Sequence, residues 1–240
     1  MKTGFQRLLG AAVFAGLAMT AAHAQAPAAP PAPPPVPDGP RYVVTYVEVM
    51  PSAKDEGATL VRQFRDASRK DAGNLRAEAA RRIGLPNQLV ILSAWKDQAS
   101  FDAHAKAAHT TQFHDRIKAI QNAPYDERVH FPLSVGPVPA SLGGAAIIAV
   151  THVDVIPPQR ENGTTLVKQL AEDGRKDDGN LRFEAVTQTS RQNHFSVIEA
   201  WKNRRALDAH SMNAKTRTFR EKLAPAAGAL YDERFYKTLD

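Results

Sequence analysis

Apolar and polar positions along this chain change period in a fixed order, and they do so twice. Tyr42 to Val49 is rich in Val and Tyr and reads as a strand that Pro51 stops. Leu60, Val61, Phe64 and Ala67 then recur at helical spacing, and Gly73 is placed to end that helix. From Asn74 to Arg82 the pattern alternates, with Leu75, Ala77 and Ala79 on one face and Arg76 and Glu78 on the other. Leu89 to Trp95 is a second, more apolar strand behind the turn at Gly84 to Asn87. Phe101, His104, Ala105, Ala108 and Phe113 predict a helix or a broken helix pair, and Tyr125 to Phe131 a last strand. The order is β-α-β-β-α-β, the ferredoxin-like split βαβ arrangement.

The same order returns 106 residues later. From Val43/Ala149 to Val129/Phe235 there are 34 identities in 87 ungapped pairs, and "RKDAGNLRAEA" (Arg69 to Ala79) comes back as "RKDDGNLRFEA" (Arg175 to Ala185). So long a period is a duplicated domain, since solenoids repeat in several shorter units. Pro132 to Gly144, rich in Pro and Gly, reads as the joint between the copies. A four-stranded sheet with helices on one side leaves its other face bare. The expected fold is therefore α+β, two ferredoxin-like domains packed sheet to sheet, an association that fusion keeps intramolecular.

Composition narrows the setting. Lys2 and Arg7 precede an apolar run from Leu8 to Met19, and Ala22-His23-Ala24 offers small residues for cleavage. Residues 1–24 thus read as a signal peptide and the mature chain as secreted or periplasmic. The apolar run is too short to span a bilayer, and no later segment is long enough. Residues 25–40, nearly all Pro and Ala, read as an extended tether. The domains are then 41–133 and 146–240, with the linker at 134–145. The chain has no cysteine, which closes both lipid anchoring through cysteine and disulfide stapling. Loss of Lys2 and Arg7 takes the formal charge from +6 to +4, and the remaining Lys and Arg mix with Asp and Glu. That distribution argues against a nucleic-acid partner.

The order of elements, "GNLRAEA", the strand ending in "AW" and "FDAHAKAAHTTQF" together resemble the antibiotic biosynthesis monooxygenase domain of the dimeric α/β-barrel superfamily. Both repeats carry the likeness, so the chain is similar to a fused dimer, an intrachain dimeric α/β barrel. The resemblance implies a pocket in each domain between the sheet and the second helix. It also implies oxygenation of a small aromatic, quinol or quinone-type molecule with no bound cofactor. The family includes other chemistries as well, so the fold alone does not fix the reaction.

His104 and His210 are the only histidines kept in both copies, each three residues after an apolar anchor, Phe101 or Leu207. A pocket imidazole could take a phenol or quinol proton, and the anion passes an electron to dioxygen more readily. The alternative is a histidine bonded to backbone as a structural peg. His109 matches the family's second histidine, but the second copy has Lys215 there; the family's strand glutamate is present as Glu199 but is Ser93 in the first copy. Trp95 and Trp201 end equivalent strands and could stack on a flat substrate, or could be core. Asn74 and Asn180 could hold a substrate oxygen or simply serve the turn. Arg76/Glu78 and Arg182/Glu184 read first as ion pairs across the sheet, with an anion-binding role for Arg76 and Arg182 as the alternative. No metal site is expected: cysteine is absent, and His104, His109 and His114, five apart, would fall on different faces of a continuous helix. Two further readings stay open, a non-catalytic module that binds a hydrophobic metabolite or haem, and a structural pairing domain. Further oligomerisation beyond the intrachain pair is not decided by the sequence.

Overall fold

The computed structural model of the protein describes residues 38–137 and 142–239. The expected signal peptide, most of the tether and residues 138–141 of the linker lie outside them. Each repeat folds as the periodicity predicts. In the first, β1 (Arg41–Glu48) leads through one 3-10 turn to α1 (Lys54–Ser68), then β2 (Asn74–Arg82) and β3 (Gln88–Trp95). A helix pair, α2 (Gln98–Ala105) and α3 (Ala108–Ile120), precedes β4 (Asp126–Ser134). In the second, β5 (Ile147–Asp154), α4 (Arg160–Gly174), β6 (Asn180–Gln188), β7 (His194–Trp201), α5 (Arg204–Met212), α6 (Ala214–Leu223) and β8 (Asp232–Thr238) follow the same order.

Local chemistry explains the element ends. Asp55 and Glu56 occupy the first turn of α1, where acids complement the helix dipole. Gly73 leaves the helix at φ +79°, and a Cβ there would lie 2.1 Å from the Ser100 hydroxyl, so the turn packs hard against α2. Arg69 caps α1 with its backbone and sends its Nε to the Ala77 carbonyl at 2.8 Å.

All eight strands form one closed antiparallel barrel in the order β1-β3-β2-β8-β5-β7-β6-β4. The two sheets do meet face to face: Val44, Val90 and Leu92 share an apolar interior with Ile148, Val150, Val186, Ile198 and Tyr236. They are also joined at their edges, which closes the barrel that the resemblance implied. β2 pairs with β8 over Ala80–Arg82, and β4 with β6 from His130↔Gln188 to Ser134↔Ala185. Among the described residues, closure leaves no strand edge unpaired to recruit another chain. Pro132, read as part of the joint, continues β4 and lies beside the register shift between Pro132 and Ser134, a position that tolerates a missing N–H. The opposite faces of the strands pack under the helices as two further cores, one per repeat.

Candidate active site

In the second repeat, β7 turns Glu199 and Trp201 toward the helices while Ile198 and Ala200 line the barrel interior. Asn203 caps α5 by accepting from the Ala206 N–H at 3.0 Å. That helix carries His210 onto the indole of Trp201, rings 4.6 Å apart and 28° from parallel. At Asn213 the backbone is extended (φ −70°, ψ 160°), which ends α5, and the same side chain caps α6 through the Thr216 N–H at 2.8 Å. Its amide donates to Asp177 at 2.7 Å, and Asp177 in turn accepts from Nδ1 of His210 at 2.7 Å. Asp177 sits in the turn that Gly179, at φ +80°, makes tight enough to pack on Ala206.

With Nδ1–H held by a carboxylate, the free lone pair of His210 is on Nε2. Nε2 lies 3.3 Å from the Thr216 hydroxyl and 3.8 Å from Glu199. Burial pushes the imidazole below its ordinary pKa against the pull of Asp177, so it is neutral at neutral pH. Glu199 is fully buried and accepts from the Trp201 indole N–H at 2.8 Å. Burial raises its carboxyl to about 8, so it is a neutral acid at pH 7. Asp177, His210 and Thr216 form part of the wall of a cleft of about 280 Å³ between α4 and α6, whose other walls include Leu166, Leu170 and Phe219 and whose rim has Lys215 and Lys222. A second cavity of about 360 Å³ lies between α6 and the sheet, beside Arg220, Tyr231 and Glu233.

The first repeat keeps the pair but closes the space. His104 bonds Asp71 at 2.7 Å and stacks on Trp95 at 4.3 Å. Phe64, where the second copy has Leu170, stacks on Phe113 at 4.1 Å, and the equivalent cleft shrinks to about 120 Å³. The helix break at Lys106–Ala107 overturns the argument from a continuous helix: His109 swings back toward His104, ring centroids 5.4 Å apart, with Nε2 3.2 Å from Asp71. Asp71, His104 and His109 place three donor atoms within 4.8 Å of one another, a set chemically able to hold a transition-metal ion. His114 points elsewhere, edge-on to Tyr125.

Of the residues singled out from sequence, the structure brings His210, Trp201 and Glu199 together in one repeat and His104, His109 and Trp95 in the other. Both tryptophans are fully buried, so each stacks on its histidine instead of standing free in a cavity. Asn74 and Asn180 serve the backbone, donating to the carbonyls of Arg76 and Arg182 across the bulge that opens β2 and β6. Arg76 and Arg182 face the barrel interior, on the other side of the sheet from the histidines. There Arg76 bonds Glu184 at 2.9 Å and Arg182 bonds both Glu78 and Glu184, so the pairs cross between repeats. Sequence reasoning missed Asp71 and Asp177. Both lie in the repeated phrase, 33 residues before the histidine they hold, and their joint retention with it was the available signal.

Fold and site together define an antibiotic biosynthesis monooxygenase barrel. The family model for antibiotic biosynthesis monooxygenase matches residues 40–116 and again 146–222. The chain belongs to that family, with two tandem copies. One copy is 30% identical over 81 residues to YcnE of Bacillus subtilis (strain 168), which carries a provisional monooxygenase name; the match covers 34% of this chain and 85% of that protein. Among solved structures, a provisionally named monooxygenase of Fusobacterium nucleatum aligns with TM-score 0.76 at 15% identity, over 84% of this chain and 93% of its own. One of Lactobacillus acidophilus NCFM gives 0.69 at 13%, over 84% and 95%. Such coverage spans both repeats, so the two-domain barrel recurs in single chains.

Proposed function

We propose that the protein is an exported monooxygenase that oxidises a small phenol, quinol or related aromatic with dioxygen, in the cleft of the second repeat and without a bound organic cofactor. One observation carries this reading: an Asp-held, neutral His210 at the wall of an apolar cleft of about 280 Å³. Leu166, Leu170 and Phe219 suit an aromatic ring, and the cleft's volume, near the lower end of ligand pockets, suits a small one. The substrate's acidic proton passes to Nε2 of His210, directly or through the Thr216 hydroxyl. Asp177 keeps the imidazole in the accepting tautomer and stabilises the cation that forms. Lys222, at the rim, would attract the resulting anion, while Lys215 is paired with Asp173 at 3.4 Å. The anion then gives electrons to dioxygen; for a ring methylene the balance is CH2 + O2 giving C=O + H2O, with all four electrons from the substrate. Export is supported by the pattern of residues 1–24 alone.

Oxygen uptake by the purified protein with a panel of quinols and hydroxylated polycycles tests this reading. His210→Asn and Asp177→Asn should each lower kcat/KM by about 100-fold or more, in the range of lost acid–base catalysis, while His104→Asn changes it little. Equal losses in both repeats, or none, would move the site. Quenching of tryptophan fluorescence by the aromatic with no oxygen uptake would mark a binding role instead.

A further inference from the structure

The second repeat holds a second cluster of donor groups at the rim of the barrel, away from the His210 cleft. His152 and Asp154 project from β5 on the lumen-facing side, and β7 places His194 directly opposite Asp154. Nε2 of His194 is 3.4 Å from the Asp154 carboxylate, and one donor atom from each of the three residues lies within 4.8 Å of the others. Two ligands bound at about 2.1 Å in a tetrahedral site stand about 3.4 Å apart, so that contact already has the edge length of such a site. The third donor closes the set by a side-chain adjustment. Nδ1 of His152 is buried and has no hydrogen-bond partner among the described residues, an unexplained polar group on one of the three side chains. Asn193 reaches the Asp154 carboxylate at 3.5 Å, the kind of supporting contact that holds a ligand in place. Two fixed cations border the cluster: Arg128, engaged by Asp126 at 2.6 Å, and Arg191 beside His194.

We propose that His152, Asp154 and His194 form a binding site for a divalent first-row transition-metal ion, beside the rim cavity of about 540 Å³ that His152 and His194 line. Two imidazoles and one carboxylate suit Zn2+, Co2+ or Fe2+ better than Mg2+ or Ca2+. The duplication supplies an internal control. The first repeat has Tyr46, Glu48 and Gln88 at these three positions. Its end is closed by hydrogen bonds from Gln88 to Glu48 and from Asn122 to Glu48, with no imidazole in the set. The metal-type donors therefore belong to one copy alone.

The test is calorimetric titration of the tag-free full chain with Co2+, paired with the visible spectrum of the bound ion. One site should be lost or weakened by more than the roughly 100-fold that losing a supporting contact to a ligand costs in His152→Ala and in His194→Ala. The combined variant His152→Tyr, Asp154→Glu and His194→Gln, which installs the first repeat's own residues and so keeps a set this fold already accommodates, should lose it too. Asp71→Asn with His109→Gln should leave it unchanged, which separates it from the cluster beside His104. Wild-type affinity and stoichiometry in the rim variants, or no Co2+ binding by the wild-type chain, would overturn the proposal.

Discussion

Glu199 occupies the place of Ser93, and this one exchange sets the electrostatics of the second site. The serine needs no proton to accept from Trp95, whereas the glutamate sits in full burial with its carboxyl raised to about 8. In the unfolded chain it ionises near 4.5. Between these values the folded protein holds a proton that the unfolded chain has released, so stability falls as pH rises. The histidines work in the opposite sense, because burial lowers His104, His130, His152, His194 and His210 below 6.5; their contribution grows with pH through that value and levels off about one unit above it. From pH 7 to 8 the variant Glu199→Gln, which keeps the bond from Trp201, isolates the carboxyl. Unfolding free energies from urea titrations should fall by about 1 kcal/mol more in the wild type than in this variant over that unit. An equal fall in the two would mean the carboxyl is already ionised. In activity, the same variant should remove any loss of rate that sets in near pH 8.

At the level of elements, the strands were legible because each buries one face under helices and shows the other to the barrel, which alternation records. The break between α2 and α3 was only half legible: Ala107 carries no capping side chain, while Asn213 in the second copy caps α6 and ties down Asp177. Asn213→Ala should cost about 1 kcal/mol through the lost cap and, beyond that, release Asp177. His210 would then titrate differently by NMR, which a lost cap alone would not produce. The partners of His104 and His210 were hidden for a physical reason. An Asp before a Gly already has a use in a turn, and contact across 33 residues leaves no periodic trace. One pair of elements also repacked in concert. A Cβ on Gly174 would lie 2.2 Å from the Phe183 ring, whereas the first copy has Ser68 and Ala77 at these places. Gly174→Ser should therefore cost about 1–3 kcal/mol by overpacking, and Phe183→Ala should cost less in that background than in the wild type, read in thermal melts. If the double variant is no better than the sum of the singles, the two positions do not share space.

At the level of the whole molecule, the paired edges and the crossed charges make the barrel one folding unit. β2 and β6 stand on opposite walls, four strands apart either way, and their Arg and Glu side chains meet across the interior. Glu184 is 1% exposed, and Glu184→Ala leaves the guanidinium groups of Arg76 and Arg182 to share Glu78 alone, which should cost about 3 kcal/mol. Trp95→Phe and Trp201→Phe each leave a single tryptophan that reports one repeat. Their unfolding midpoints should both shift by the full amount when Glu184→Ala is added, and resolved transitions for the two probes would show that the halves unfold separately. None of this closure could be read from either repeat alone, because an edge strand shows its partner only when the partner is present.

The uninterrupted chain from β4 into β5 has one more consequence. A symmetric dimer of identical subunits changes both of its sites with every substitution, so neither can be altered while the other is spared. Here a residue can be replaced in one half only, and Ser93 against Glu199, Phe64 against Leu170 and Tyr46 against His152 are such replacements. A single scaffold can in this way hold one narrowed cleft and one roomier one, each free to acquire its own task.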